Sequence, residues 1–500
     1  MNPPDNAPIL IAVAAVQQKQ ADIATAKEPI ALMIDAVNAA LKDSQAPSIA
    51  KQIDHICVPK GMWQYPNPAA LIAEAVGAEN AVTEFCDFGI LQQTNLGQAC
   101  QKIANGDIDV ALVVGGEAKY RQLQAMIQNV EATETQQQDS QPDSFLQPEA
   151  ELWSEIESKA GLGMPVGYYA LIESAICHQQ GISMDQHRDN IASHYARFSE
   201  TAAANPDGWA ESALSAETIR NAGDKNAMLA FPYTKHHNSQ WNVDQACALL
   251  FCSVSKAREY GIPESQWVFP LASTESNQII NVSQRPDLGH SIAAEMAGQR
   301  ALNITDLTID EIDFIDLYSC FPSAVNLNIQ ALNIPNDREL TVTGAMPYGG
   351  GPLNNYCLQA TVKLAQLLRE KPGSYAIASC VSGMFTKQGY GIWSSAGYRN
   401  AFIFDDVSDE VNERQQALEL IEPQPGTVDI IAATVLFEKK HAQRLVIISQ
   451  NSEGKRSVNY SEEVDHITQS LRTNLVGEKA RINQLGLIDS LLSNRRHEPS

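Results

Sequence analysis

Basic side chains are scarce. Against 59 Asp and Glu there are 35 Lys and Arg, a formal net charge of -24, and a surface of that sign repels phosphodiester backbones and anionic headgroups. General nucleic-acid binding and membrane insertion are excluded on that ground, while a small basic pocket for one polyanion is not. Long apolar runs are also missing. No stretch approaches the roughly 18 to 20 residues that span a bilayer, and the run Ile9 to Val16 lacks the preceding Lys or Arg of a signal peptide, so it reads as a buried strand. Cysteines number nine, an odd count, and lie scattered in apolar segments such as Ala246 to Cys252 without the paired spacing of a zinc site. They read as buried thiols of a reducing, cytoplasmic compartment, and no metal is expected. What remains, 44% hydrophobic and 19% charged residues over 500 positions, is the composition of a globular enzyme of two or three domains.

The order of elements repeats. A helical pattern over Ala31 to Leu41 leads to a strand at Ile53 to Val58, a glycine-containing loop, a helix over Thr94 to Ala104 and a strand at Asp109 to Val114. Later, a helical pattern over Ser291 to Leu302 leads to Ile312 to Leu317, a glycine-rich loop, a helix over Leu353 to Leu368 and a strand at Tyr375 to Ser379. Near-continuous apolar strands alternating with helices predict buried, mostly parallel sheets covered on both faces. The polar, low-complexity stretch within Gln124 to Gln147 predicts a mobile surface loop, and Pro165 to Ala222 a helical insertion. After Pro425-Gly426, strand-period alternation predicts a small, protease-separable β domain. The expected divisions are 1–120 with 231–258, an inserted lobe at 121–230, a second half at 259–402 and the β domain at 424–500.

Four segments carry a resemblance. Ile103 to Glu117 resembles the helix and strand after the nucleophile loop of thiolases. Phe314 to Val325 resembles their HDCF loop, Thr343 to Asn355 their GHP loop, and Ala378 to Gly383 their CxG loop. In this order the chain resembles the thiolase superfamily over about residues 7 to 400, and most closely the thiolase-like protein type 1 subgroup. Arg285-Pro286-Asp287-Leu288, Tyr318 to Ser323, Asn354-Asn355, Thr386-Lys387 and the extra C-terminal domain carry the subgroup match. The resemblance implies a duplicated, layered α/β/α/β/α core with an inserted helical loop lobe and a small C-terminal β domain. It also implies acetyl-CoA acetyltransferase-like chemistry in acyl-CoA (lipid) metabolism, with CoA or acyl-CoA between the halves, adenine toward the lobe, and no covalently bound cofactor.

A thiolase needs a Cys at a helix N-terminus, a His to activate it, oxyanion donors and a second Cys. Counted back from Gly106, the nucleophile position falls on Gly89, the HDCF histidine on Tyr318 and the GHP histidine on Gly351. Cys380 survives as the candidate acid, base or nucleophile, with Tyr318 as a donor; the alternative for both is packing. Cys86 becomes the nucleophile if the alignment slips, and is otherwise a structural thiol. Gly349, Gly350 and Gly351, opening a helix, would offer free N–H groups to a thioester oxygen, or form only a tight turn. Asn354 and Asn355 would bind ligand or cap that helix. His236 is a CoA-binding candidate, the paired His236 and His237 being otherwise surface residues, and His290 is a catalyst or a solvated loop residue. Two functions stay open: acyl transfer with degraded catalysis, or CoA binding without chemistry and partner recruitment through the C-terminal domain. A β-ketoacyl synthase is disfavoured for want of a Cys-His-His set. Monomer and homodimer are both expected.

Overall fold

The run from Pro8 folds as β1 (Pro8–Gln17), buried along its first seven residues. The computed structural model describes residues 3–138 and 140–492; residues 1–2, 139 and 493–500 lie outside the described residues. Helix α1 (Pro29–Asp43) starts on a proline, whose missing N–H would have no intrahelical partner there. Then come β2 (His55–Pro59), α2 (Pro68–Val76), β3 (Val82–Cys86), α3 (Gln92–Asn105), β4 (Val110–Ala118) and α4 (Lys119–Gln128). The chain next leaves the sheet through β5 (Ser144–Leu146), α5 (Glu155–Lys159), α6 (Pro165–Gln180), α7 (Met184–Ala204) and α8 (Ala216–Arg220). It comes back through β6 (Met228–Ala230), β7 (Tyr233–Thr234), β8 (Asp244–Ser253) and α9 (Val254–Glu259).

The second half runs β9 (Phe269–Ser276), α10 (Ile292–Thr305), β10 (Phe314–Asp316), α11 (Pro322–Leu332), α12 (Tyr356–Glu370), β11 (Tyr375–Ser382), β12 (Lys387–Ser394), β13 (Ile403–Asp406) and α13 (Ser408–Arg414). The tail is β14 (Gly426–Glu438), β15 (His441–Gln450), β16 (Arg456–Ser461), α14 (Val464–Arg472), β17 (Lys479–Ile482) and β18 (Ile488–Leu492).

Strand order makes the duplication explicit. The first sheet runs β1-β8-β4-β2-β3-β5, the second β10-β11-β12-β9-β13. In the first half β1 lies antiparallel to β8, β8 antiparallel to β4 and β4 parallel to β2; in the second β9 lies antiparallel to β12, β12 antiparallel to β11 and β11 parallel to β10. Along β4, Val110, Leu112 and Val114 face a cluster with α1 and α2, whereas Ala111 and Val113 face one shared with α3, α12 and β11. That alternation, apolar on both faces, is what buries the sheet between helical layers. Helices α10 and α11 cover the far face of the second sheet, completing the α/β/α/β/α stack.

The structure adds contacts to two expected elements. The polar stretch is a surface loop tied at two places: the Thr135 N–H and hydroxyl donate to the Glu28 carboxylate at 2.6 and 2.5 Å, and Gln137 exchanges hydrogen bonds of 2.8 Å with the Asn67 backbone. Its polar side chains do what apolar burial does elsewhere, and Asp139 lies outside the described residues. The tail folds as the expected small β domain, but it is joined to the rest of the molecule. Its sheet, β16-β15-β14-β17-β18, also takes in β6 from the lobe. One face shares the central core through Ala432, Val446, Ile448 and Val458, and the other is covered by Ile467 of α14.

Candidate active site

The loops that follow β10 and β11 and those that precede α3 and α12 meet around one point. Cys380, 1% exposed, sits in β11 with its sulfur at the start of α3, where the backbone N–H groups of Gln92 and Gln93 donate to it. Burial pushes this thiol up, but the Cys357 thiol and the two N–H groups outweigh it, and the net direction is down. Cys357 is pushed well up by its hydrogen bond with Cys380 and by burial, so within the pair the thiolate belongs on Cys380. The positive end of a helix acts here on a cysteine from the other half of the molecule.

Tyr318 is held beside this pair. Its N–H donates to Ser379 Oγ at 2.8 Å, and its ring meets Tyr356 edge-on at 5.6 Å. Burial, then the neighbouring Cys320, Cys380 and Cys357, hold the phenol well above its ordinary value, so it stays a proton donor. Tyr356 is fixed by its hydroxyl, which donates to Asp316 at 2.9 Å. Asp316 also accepts from the Val342 and Thr343 N–H groups, which ties the end of β10 to the glycine loop.

Gly89 takes φ +95°, and a Cβ built there would lie 3.0 Å from Pro148 Cγ and 3.2 Å from Leu152 Cδ1. Leu152 also presses on Gly383, 2.8 Å from its Cβ position. The segment after β5 therefore covers the place where a nucleophile would stand. Beneath it Lys387, 3% exposed, donates from Nζ to the Gly89 carbonyl at 2.6 Å and is pushed down by burial. Nearby Glu275, raised by burial, accepts from Thr94 Oγ1 at 2.6 Å and from Asn277 Nδ2 at 2.8 Å.

The glycine run differs from the expectation. The Gly351 N–H donates to the Gln240 carbonyl at 2.9 Å, and its Cβ position is filled by Ser239 and Met346 at 3.2 and 3.3 Å. Gly350 takes φ +104°, and the Gly349 carbonyl accepts from the Trp209 N–H and from Gln245 Nε2. The run is a packed bend, and regular helix begins only at Tyr356 because Asn354 is non-helical at φ -86°, ψ 31°. Asn354 donates to the Lys60 carbonyl at 2.8 Å. Asn355 sits at the N-cap without a side-chain capping bond, 1% exposed, and neither amide atom has a well-formed hydrogen bond.

His236 stands apart, just after β7, its N–H on Asn226 Oδ1 at 2.9 Å and its carbonyl accepting from the Tyr348 hydroxyl at 3.0 Å. The inward residue is His237, which shares a 2.9 Å hydrogen bond with Thr234 Oγ1; burial lowers its ring to about 3, so it is neutral. Cys86 lies against Cys57 at 3.6 Å, and His290 pairs with Glu295 at 3.1 Å at the surface. Sequence reasoning missed Cys357, Lys387, Glu275 and the Gln92-Gln93 amides. Only Lys387 had a signal, as part of the Thr386-Lys387 motif.

No family model matches the chain. Among curated proteins it is similar to an acetyl-CoA acetyltransferase IA of Candida tropicalis, 26% identical over 28% of this chain and 32% of the relative. It is also similar to an acetyl-CoA acetyltransferase of Methanocaldococcus jannaschii, 24% identical over 51% of this chain and 57% of the relative. The matched segments thus span about a third and somewhat over half of these relatives. Among solved structures, the Acat5 thiolase of Ascaris suum in complex with coenzyme A shares the fold at TM-score 0.56 and 15% identity, over 77% of this chain and 99% of that one. A monomeric SCP2-thiolase-like protein type 1 from Mycobacterium smegmatis superposes at TM-score 0.81 and 25% identity, over 96% of this chain and 97% of that one, tail included. The chain belongs to the thiolase superfamily, in its SCP2-thiolase-like type 1 branch.

Proposed function

We propose that this protein binds CoA or an acyl-CoA thioester between its two halves, and that any acyl-transfer chemistry it keeps runs through Cys380. The observation that carries this reading is the Cys380 thiol on the Gln92 and Gln93 amides, paired with Cys357. A thiolate held there attacks a thioester carbonyl or removes a proton beside it, and the protonated Tyr318 hydroxyl donates to the oxygen that gains charge. The relatives' acetyltransferase names support the substrate class. No histidine stands at either matched position, and a general base contributes about 10² to 10⁴-fold, so turnover is expected to be severely reduced.

A second reading, ligand binding without chemistry, is favoured by Pro148 and Leu152 over Gly89. In that reading the tail recruits a protein partner. A monomer is supported by β5, which occupies the outer edge of β3, and a reducing cytoplasm by nine free, buried cysteines. Calorimetric titration with CoA and thiolysis of acetoacetyl-CoA test the proposal. Saturating ligand at about a hundred times its Kd should stabilise the fold by roughly 2.7 kcal/mol; no heat and no thermal shift would overturn it. Residual turnover lost in Cys380→Ala supports acyl transfer, and binding without turnover supports the second reading.

A further inference from the structure

Two parallel strands bring together what the sequence keeps apart. His55 and Cys57 alternate along β2, and Glu84 and Cys86 along β3, with Cys57 opposite Glu84 in the register. The period of two sends these four side chains to the α3 face of the sheet, while Ile56, Val58 and Phe85 pack against the other layer. Cys57 Sγ and Cys86 Sγ stand 3.6 Å apart, and a Glu84 oxygen lies within 4.8 Å of both sulfurs. All three residues are buried, at 0%, 1% and 4% exposure.

We propose that Cys57, Cys86 and Glu84 form a structural site for one divalent zinc-like ion. Two sulfurs each about 2.3 Å from a tetrahedral ion stand about 3.8 Å apart, close to the spacing found. Independently, Glu84 Oε1 is buried and makes no well-formed hydrogen bond. A carboxylate oxygen left in that state costs stability unless something positive meets it. His55, whose Nε2 lies 3.6 Å from Glu84 Oε2, flanks the three ligands without joining them.

Charge supports the set. Two thiolates and a carboxylate exceed a divalent ion by one negative charge, and Lys102 on α3 supplies the balance, its Nζ 3.2 Å from Glu84 Oε2 and 2.9 Å from His55 Nε2. The filled site is neutral overall, as a buried site needs to be. On binding, two S–H bonds break, two metal–sulfur bonds form and two protons leave to solvent; nothing is oxidised or reduced. Because the residues are closed in, the ion enters as the chain folds and thereafter ties β2 to β3 just before the loop that carries Gly89.

The test is to express the full chain in zinc- and in cobalt-supplemented medium and measure metal content and absorption. One ion per chain is expected, and in the cobalt form a thiolate-to-metal charge-transfer band in the near ultraviolet. Both should vanish in the Cys57→Ser/Cys86→Ser double variant and persist in Cys100→Ala, which alters a neighbouring buried thiol. Glu84→Gln should release the ion under mild chelation. A folded wild-type chain from cobalt medium without metal or band overturns the proposal, as does an ion that persists in the double variant. If the double variant fails to fold, the wild-type metal content and band decide.

Discussion

Glu117 lies near the end of β4, 2% exposed, its carboxyl accepting from the Met62 N–H at 2.7 Å. Burial, only partly offset by that N–H, raises it from 4.5 to about 7. Below the unfolded value both folded and unfolded chains hold the proton, so the group costs nothing. Between about 4.5 and about 7 only the folded chain holds it, and stability falls as pH rises. Glu117→Gln keeps the acceptor and removes the titration. The variant should match the wild type near the acid end of that window and exceed it above the window, by up to a few kcal/mol at about 1.4 kcal/mol per unit. Thermal unfolding on both sides of the window checks this, and a variant weaker at both overturns it. Cys380 was singled out from the sequence because it lies near the end of an apolar strand in a recognisable loop. What perturbs it was not, since Gln92, Gln93 and Cys357 come from two other elements and spacing along the chain says nothing of a helix end arriving from the other half.

Element positions were legible where periodicity is strong: α1, α3 and α10 fall within a few residues of their expected spans. They shift where a loop competes. The strand expected over Ile312 to Leu317 shortens to Phe314–Asp316 because the Leu317 N–H turns away to the Leu340 carbonyl. Close approach between elements left no trace in the sequence. Gly344, at φ +93°, faces α7 so closely that a Cβ would stand 2.3 Å from Ala202 Cα. Gly344→Ala should cost about 2 to 4 kcal/mol through overpacking and left-handed strain. Gly223→Ala, which meets open space, should stay within about 0.5 kcal/mol. Denaturant titration distinguishes them, and equal effects would refute the contact. Leu152, partly buried over Gly89, contributes about 1 to 2 kcal/mol of closure by its apolar area. Leu152→Gly should therefore speed alkylation of Cys380 roughly tenfold; an unchanged rate would mean that the segment does not limit access.

For the whole molecule, the repeat and the layered core were legible because both halves carry the same order of apolar strands. The union of tail and lobe was not, because β6, only three residues long, gives no periodic signal. It follows that the tail is not dispensable. A chain ending before Gly426 strips Ala432, Val446, Ile448 and Val458 from the central core, and is expected to aggregate; a soluble, cooperatively folded truncation would contradict the shared core. The segment after α4 holds one more consequence. Ser144 to Leu146 hydrogen-bond along the outer edge of β3, and two residues later Pro148 stands over Gly89. If the proposed substrate enters past Pro148, its admission and the unzipping of that edge are mechanically linked. A ligand that displaces the plug lends the sheet a bare row of donors and acceptors, ready to stitch to a second molecule, and by reciprocity a second molecule seated on that edge holds the door open.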